Sequence, residues 1–160
     1  MTADEIKQHL KLQAHPEGGL YRETYRGGSQ IKLESGKVRN TSTAIYYMLR
    51  GSDKSHFHKV KSDELWFLHQ GEALEILSIS DEGELLTEVL GNRLDLGEQP
   101  QLLVKANTWF AAKIKNEQGF VLVSCVVAPG FEFEDFEMAD KQELLRQYPH
   151  LQDTIEELTM

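Results

Sequence analysis

Hydrophobic spacing along the chain changes from helical to alternating and back again. Thr2 and Glu5 have the spacing of a capping box, and Ile6 and Leu10 share one face of the turns that follow. Asp140 and Glu143 repeat the signal ahead of Leu144 and Leu145. Pro149 then stops that helix, and Leu151, Ile155 and Leu158 predict a last amphipathic turn or two. Between these ends the period is two. Segments rich in Val, Ile, Tyr, Phe and Thr recur at 19–26 (GLYRETYR), 41–49 (TSTAIYYML), 64–70 (ELWFLHQ), 72–80 (EALEILSIS), 85–91 (LLTEVLG), 100–106 (PQLLVKA), 108–114 (TWFAAKI) and 119–128 (GFVLVSCVVA). Turn residues separate them, among them Gly27-Gly28, Gly51-Ser52-Asp53, Gly71, Asp81-Glu82-Gly83 and Asn116-Glu117-Gln118-Gly119. Short strands at this spacing, with helices only at the ends, predict an all-β antiparallel sandwich or barrel. A parallel sheet would need helical crossovers, and the pattern supplies none.

Composition narrows the function classes. The chain has 160 residues and a formal charge of −9, from 17 Lys and Arg against 26 Asp and Glu. That acidic balance argues against nucleic acid or an anionic membrane as partner. The length suits one domain over 1–160, and no linker or repeat suggests a second. No apolar run approaches the roughly 18–20 residues of a membrane span. The opening MTADEIKQHL has no apolar signal core, so a cytoplasmic protein is expected. The one cysteine, Cys125, lies in an apolar run and reads as a buried, inert thiol. The N-terminal segment and the aromatic stretch Phe131–Phe136 offer apolar surface for a second copy, so a homodimer is expected.

The candidate chemistry sits in GSDKSHFHKVKSDELWFLHQG (51–71). His56 and His58, two apart on an extended segment, should point to the same face. A hairpin at Lys61-Ser62-Asp63 would return Glu64 towards both. Two imidazoles and a carboxylate suit Fe, Mn, Ni or Zn with open positions, and equally form an acid/base pair without metal. Tyr46 and Tyr47 point to opposite faces, so one at most lines a given cavity. Trp66 has the parity of Glu64, and His69 the opposite parity unless a bulge intervenes. Trp109 and Phe110 are expected as apolar pocket wall. In GLYRETYR, Tyr21 and Glu23 share one face. The alternation of Phe131, Phe133 and Phe136 with acidic residues reads as a stripe sealing a barrel or meeting a second copy.

These residues resemble the first motif of the cupin superfamily, with Gly51, His56, His58, Glu64 and Gly71 in its places. The gaps before His56 and after His58 depart from the usual ones. Lys105-Ala106-Asn107-Thr108-Trp109-Phe110 is similar to the second motif, but Phe110 stands where that motif has a ligand histidine. A narrower resemblance runs through HPEGGLYRETYR, TAIYYML, SHFHKVKSDELWFLHQG, NTWFAA and CVVAPGFEFEDFEMAD, which look like a group of small cupins long catalogued as a domain of unknown function. It implies a double-stranded β-helix jelly roll with short terminal helices, commonly dimeric, with a pocket inside. GGLYRETY also looks like a stretch of the metal-free keto-deoxysugar nucleotide epimerases, which would put Glu23 against the substrate.

The expected function is therefore binding of a small polar molecule, sugars among the candidates, inside the barrel, with three readings open. In an epimerase or isomerase, His58 would act as base, steered by Glu64, with Tyr47 as acid, and Glu23, His56, Trp66, His69, Trp109 and Phe110 would line the pocket. A metal enzyme would use His56, His58 and Glu64. A ligand-binding or storage module would use the same residues for recognition alone. No cofactor is favoured, because Phe110 removes a donor and the altered gaps spoil convergence; a divalent metal is the alternative.

Overall fold

The computed structural model describes all residues 1–160. After helix α1 (Ala3–Leu10), the strands are β1 (Gln13–Ala14), β2 (Leu20–Arg26), β3 (Gln30–Lys32), β4 (Val38–Asn40), β5 (Thr43–Arg50), β6 (Lys54–Val60), β7 (Asp63–Gly71), β8 (Leu74–Ile79), β9 (Leu85–Leu90), β10 (Gln101–Val104), β11 (Phe110–Ile114), β12 (Phe120–Ala128) and β13 (Phe136–Met138). Helices α2 (Lys141–Gln147) and α3 (Gln152–Leu158) follow. The eight alternating segments all form strands. No helix is long and apolar enough to cross a membrane.

Two antiparallel sheets face each other in the expected jelly roll. One runs β1-β2-β5-β12-β7-β10 and the other β13-β6-β11-β8-β9. From β5 to β8 each connection crosses between sheets, so side chains of period two from both sheets meet in one core. That core joins Tyr47, Leu49, Trp66, Val123 and Cys125 of the first sheet to Leu74, Ile76, Phe110 and Ile114 of the second.

The ends cover the outer faces. The Thr2 side chain accepts from the Glu5 backbone while the Glu5 carboxylate accepts from Thr2, and Ile6 packs onto Leu20, Met48 and Leu122. Asp140 caps α2, and Leu144, Ile155 and Leu158 cover Phe57, Leu77 and Ala111 on the back of the second sheet. The short strands β3 and β4 form an arm of their own. The sequence pattern does not show it, because exposed Gln30, Ile31 and Lys32 have no buried alternation.

Irregularities in pairing decide which side chains face inward. Along β6 and β11, His58 pairs with Phe110 but Ser55 pairs with Ala112, so β6 carries one extra residue. Along β2 and β5, Glu23 pairs with Ile45 and Tyr25 with Ala44, leaving Thr24 as the extra residue. On β7 the shift falls at His69.

Candidate functional site

A cavity of about 220 Å³ opens between the sheets. Its polar floor is formed by Glu17, His58 and Glu64, which are only 6%, 1% and 7% exposed. Apolar walls come from Ile45, Val60, Cys125 and Val127. The mouth holds Tyr21, Glu23, Arg26, Glu132 and the rings of Phe131, Phe133 and Phe136.

Glu17 arrives on the turn His15-Pro16-Glu17-Gly18-Gly19, and the glycines explain why the turn fits. Gly18 has φ +106°, and a Cβ there would lie 2.0 Å from the Lys54 carbonyl oxygen. The turn is pinned to β6 by the His56 backbone N–H and the His56 ring Nδ1, both donating to the Glu17 carbonyl at 2.8 Å. The Tyr47 hydroxyl donates to the Gly18 carbonyl at 2.7 Å. So held, the Glu17 carboxyl accepts from the Ser55 hydroxyl at 3.0 Å and meets His58 Nε2 at 3.0 Å.

The tautomer of His58 follows from its other nitrogen. Nδ1 lies 2.7 Å from the His56 carbonyl, which only accepts, so Nδ1 carries a proton. In the neutral ring Nε2 then presents a lone pair towards Glu17 Oε2, 3.0 Å away. Burial acts in the same sense: it raises the Glu17 carboxyl and depresses the His58 imidazole to about 4. Burial, and then the charge of Glu17, push Glu64 up to about 8. Burial lowers His15, whose Nδ1 accepts the Glu17 backbone N–H. Phe110 packs its ring 4.2 Å from that of His58 and fixes it from behind.

At the mouth, Arg26 is bound through Nε and Nη2 to Glu23, through Nη1 to Glu132 and Asn40, and through Nη2 to the Phe131 carbonyl. Arg39 of the arm grips Asp135 with two bonds of 2.7 and 2.9 Å. The segment carrying Phe131, Phe133 and Phe136 is thus tied down from both sides of the opening.

Of the residues given a catalytic or ligand-binding role from sequence, His58, Glu64 and Glu23 line this cavity. The others have different places. The bulge in β6 breaks the shared face expected of the histidine pair, and His56 supports the Glu17 turn. The expected hairpin at Lys61–Asp63 is instead a corner between sheets, so His58 and Glu64 face each other from opposite layers. Tyr47 is buried in the core with its hydroxyl engaged by Gly18, away from the cavity lining. Trp66 and Phe110 are core residues. Trp109 lies on the outer face against the C-terminal helices, with Lys59 over its ring at 4.4 Å, because its parity is opposite to that of Phe110. His69 is exposed on the outside beside Ser124. Cys125 lines the wall, and burial pushes its thiol well above the ordinary range. The phenylalanine stripe rims the cavity mouth.

Glu17, His15 and Arg26 were not singled out from sequence. The signal for Glu17 is an acid inside a Pro and Gly-Gly turn that needs no acid to form. The signal for Arg26 is its oppositely charged neighbour Glu23 three positions earlier, a spacing that a regular strand would split between faces.

The donors do not suit a metal ion. No three His, Cys, Asp or Glu side chains are placed to share one. His58 has both nitrogens engaged, His56 turns to the Glu17 carbonyl, and Phe110 fills the space where another donor would stand.

Comparison with known proteins agrees with this architecture. The family model described as "Cupin superfamily (DUF985)" matches residues 4–139. The uncharacterized protein YML079W of Saccharomyces cerevisiae is 32% identical over 149 residues, covering 84% of this chain and 73% of that protein. The crystal structure of protein SO0799 from Shewanella oneidensis is 39% identical with a TM-score of 0.93, covering 100% of this chain and 98% of that one. A hypothetical protein from Leishmania major is 32% identical with a TM-score of 0.91, covering 99% of both chains. More distantly, oxalate decarboxylase from Bacillus subtilis shares the fold alone, at 11% identity and a TM-score of 0.58 over 91% of this chain and 36% of that one. The jelly roll, its interior cavity and the match along 4–139 together make the chain a member of the cupin superfamily, in the family described as DUF985.

Proposed function

We propose that the cavity binds a small hydroxy-carbonyl compound and moves a proton between adjacent carbons, as an isomerase does, or returns it to the opposite face of the same carbon, as an epimerase does. The observation that carries this reading is the 3.0 Å approach of the buried Glu17 carboxyl to His58 Nε2 in a cavity that a second buried carboxyl, Glu64, also lines. Proton transfer next to a carbonyl needs a base for the C–H bond and an acid for the oxygen.

Glu64, as its carboxylate, takes the proton from carbon. The carbonyl oxygen takes a proton from the pair of Glu17 and His58, giving an enediol. Return of the first proton from Glu64 to the former carbonyl carbon, and passage of a proton from the other enediol oxygen to the pair, gives the isomer and restores the protein. A group near 8 is divided between acid and base close to neutral pH, where such exchange is efficient. This assignment replaces the sequence-based pairing of His58 with Glu64 and Tyr47: Glu17 orients His58, and Glu64 acts separately.

The test is solvent exchange. Ketoses and aldoses incubated with the protein in D2O should lose their carbon-bound proton signal by NMR. Glu64→Gln and Glu17→Gln should each slow exchange by about a hundredfold or more. Binding without exchange in the wild-type protein would refute the catalytic reading and leave a ligand-binding module.

A further inference from the structure

We propose that the ligand of this cavity is an uncharged, monosaccharide-sized hydroxy-carbonyl compound, and that the mouth is built to reject its phosphorylated and carboxylated counterparts. The inference rests on the cavity being the ligand site.

The argument starts from Arg26, the only Lys or Arg in the lining. A guanidinium has five N–H donors. All five are engaged by the protein itself, on Glu23, Glu132, Asn40 and the Phe131 carbonyl. The positive charge is matched by two carboxylates in direct contact. A phosphate or carboxylate entering here finds no free donor on a cation. It would instead meet the carboxylates of Glu23 and Glu132 at the mouth. Desolvating an anion without a partner is strongly unfavourable.

The floor points the same way. Burial of Glu17 and His58, 3.0 Å apart, disfavours a charge on either group. Glu64, buried beside Val127 and Cys125, is held towards its neutral form. Neutral carboxyl groups donate hydrogen bonds, so the floor suits carbonyl and hydroxyl oxygens. Phe131, Phe133 and Phe136 offer apolar ring surface for the C–H face of such a molecule. A volume of about 220 Å³ holds about seven waters' worth of ligand, room for one sugar ring and none for a nucleotide.

The experiment compares binding, independently of turnover. Uncharged pentoses, hexoses and polyols, together with fructose, its phosphate ester, gluconate, glucosamine and oxalate, are titrated against the whole protein by calorimetry and ligand-observed NMR. At least one uncharged member is expected to bind about tenfold or more tighter than its anionic counterpart. In a Glu23→Gln/Glu132→Gln variant, Arg26 keeps its charge and loses both carboxylate partners. Affinity for the phosphate ester should then rise by about tenfold. Wild-type preference for an anion, preference for glucosamine over the uncharged hexoses, or no uncharged compound binding below about 10 mM would each overturn the inference. Binding of a neutral sugar without deuterium exchange would refute the catalytic reading alone. Exchange into a phosphorylated sugar would refute the ligand class alone.

Discussion

Glu17 and His58 come from distant parts of the chain, yet the Oε2 of one lies 3.0 Å from the Nε2 of the other. The contact depends on a turn that only glycine permits and on a strand that is locally out of register. It also makes several outcomes predictable.

Gly18→Ala should be among the most disruptive single-methyl changes in the molecule. The added carbon would lie 2.0 Å from the backbone oxygen of Lys54, at a φ of +106°. Either the turn moves away from β6, and Glu17 with it, or the fold is lost. Expected are a lower melting temperature and loss of ligand binding. A variant with wild-type melting and binding would contradict the role given to this turn.

Tyr47→Phe separates structural from chemical roles. The substitution leaves the buried Gly18 carbonyl without the Tyr47 hydroxyl, costing about 1–3 kcal/mol of stability in urea titration. Deuterium exchange, measured well below the unfolding transition, should persist. Abolished exchange with unchanged stability would return Tyr47 to the chemistry.

Phe110→Ala removes the ring that backs His58 at 4.2 Å. A fully buried Phe→Ala change costs about 3–5 kcal/mol. The freed imidazole should also regain part of its basicity as water reaches it, moving its titration by NMR upward from about 4. An unmoved titration would show that Phe110 does not control the environment of His58.

Stability should depend on pH through Glu64. Its folded value, about 8, lies above the ordinary 4.5, so the folded protein keeps a proton that the unfolded chain loses. The stabilising contribution is therefore whole below about 4.5 and is lost as pH rises through about 8. Glu64→Gln should remove this loss and raise the melting temperature relative to wild type most at alkaline pH. An equal shift at all pH values would refute the assignment.

The homodimer expected from sequence is open to light scattering. Tyr25, Ile31 and Val38, on β2 and the arm, are 56%, 39% and 50% exposed, and β1 pairs only with the start of β2. A mass near twice 18.3 kDa is expected, and 18.3 kDa at micromolar concentration would count against it.

The sequence carried the strands and both helical ends because burial repeats every two or every three to four residues in them. It also carried His58, Glu64 and Glu23, although each lies on a strand that breaks register elsewhere along its length. His56 was misassigned because parity presumes an unbroken pleat, and a bulge has no residue signature comparable to a glycine turn. Trp109 was misassigned because adjacent residues cannot share a face, and Phe110 took the inner one. Glu17 was missed for another reason. Its partners, Ser55 and His58, lie on a strand that meets the turn only in three dimensions.

The extra residue in β6 also fixes the grip on that acid. In a regular strand, side chains that face the same way are two or four positions apart. Here Ser55 and His58, three apart, both face inward, one reaching Oε1 of Glu17 and the other Oε2. A single strand thus takes hold of both oxygens of one carboxyl, like two fingers closing on a coin, and the acid cannot rotate to exchange them. Removing Phe57, between Ser55 and His58, would keep every side chain that touches Glu17 and still release its second oxygen.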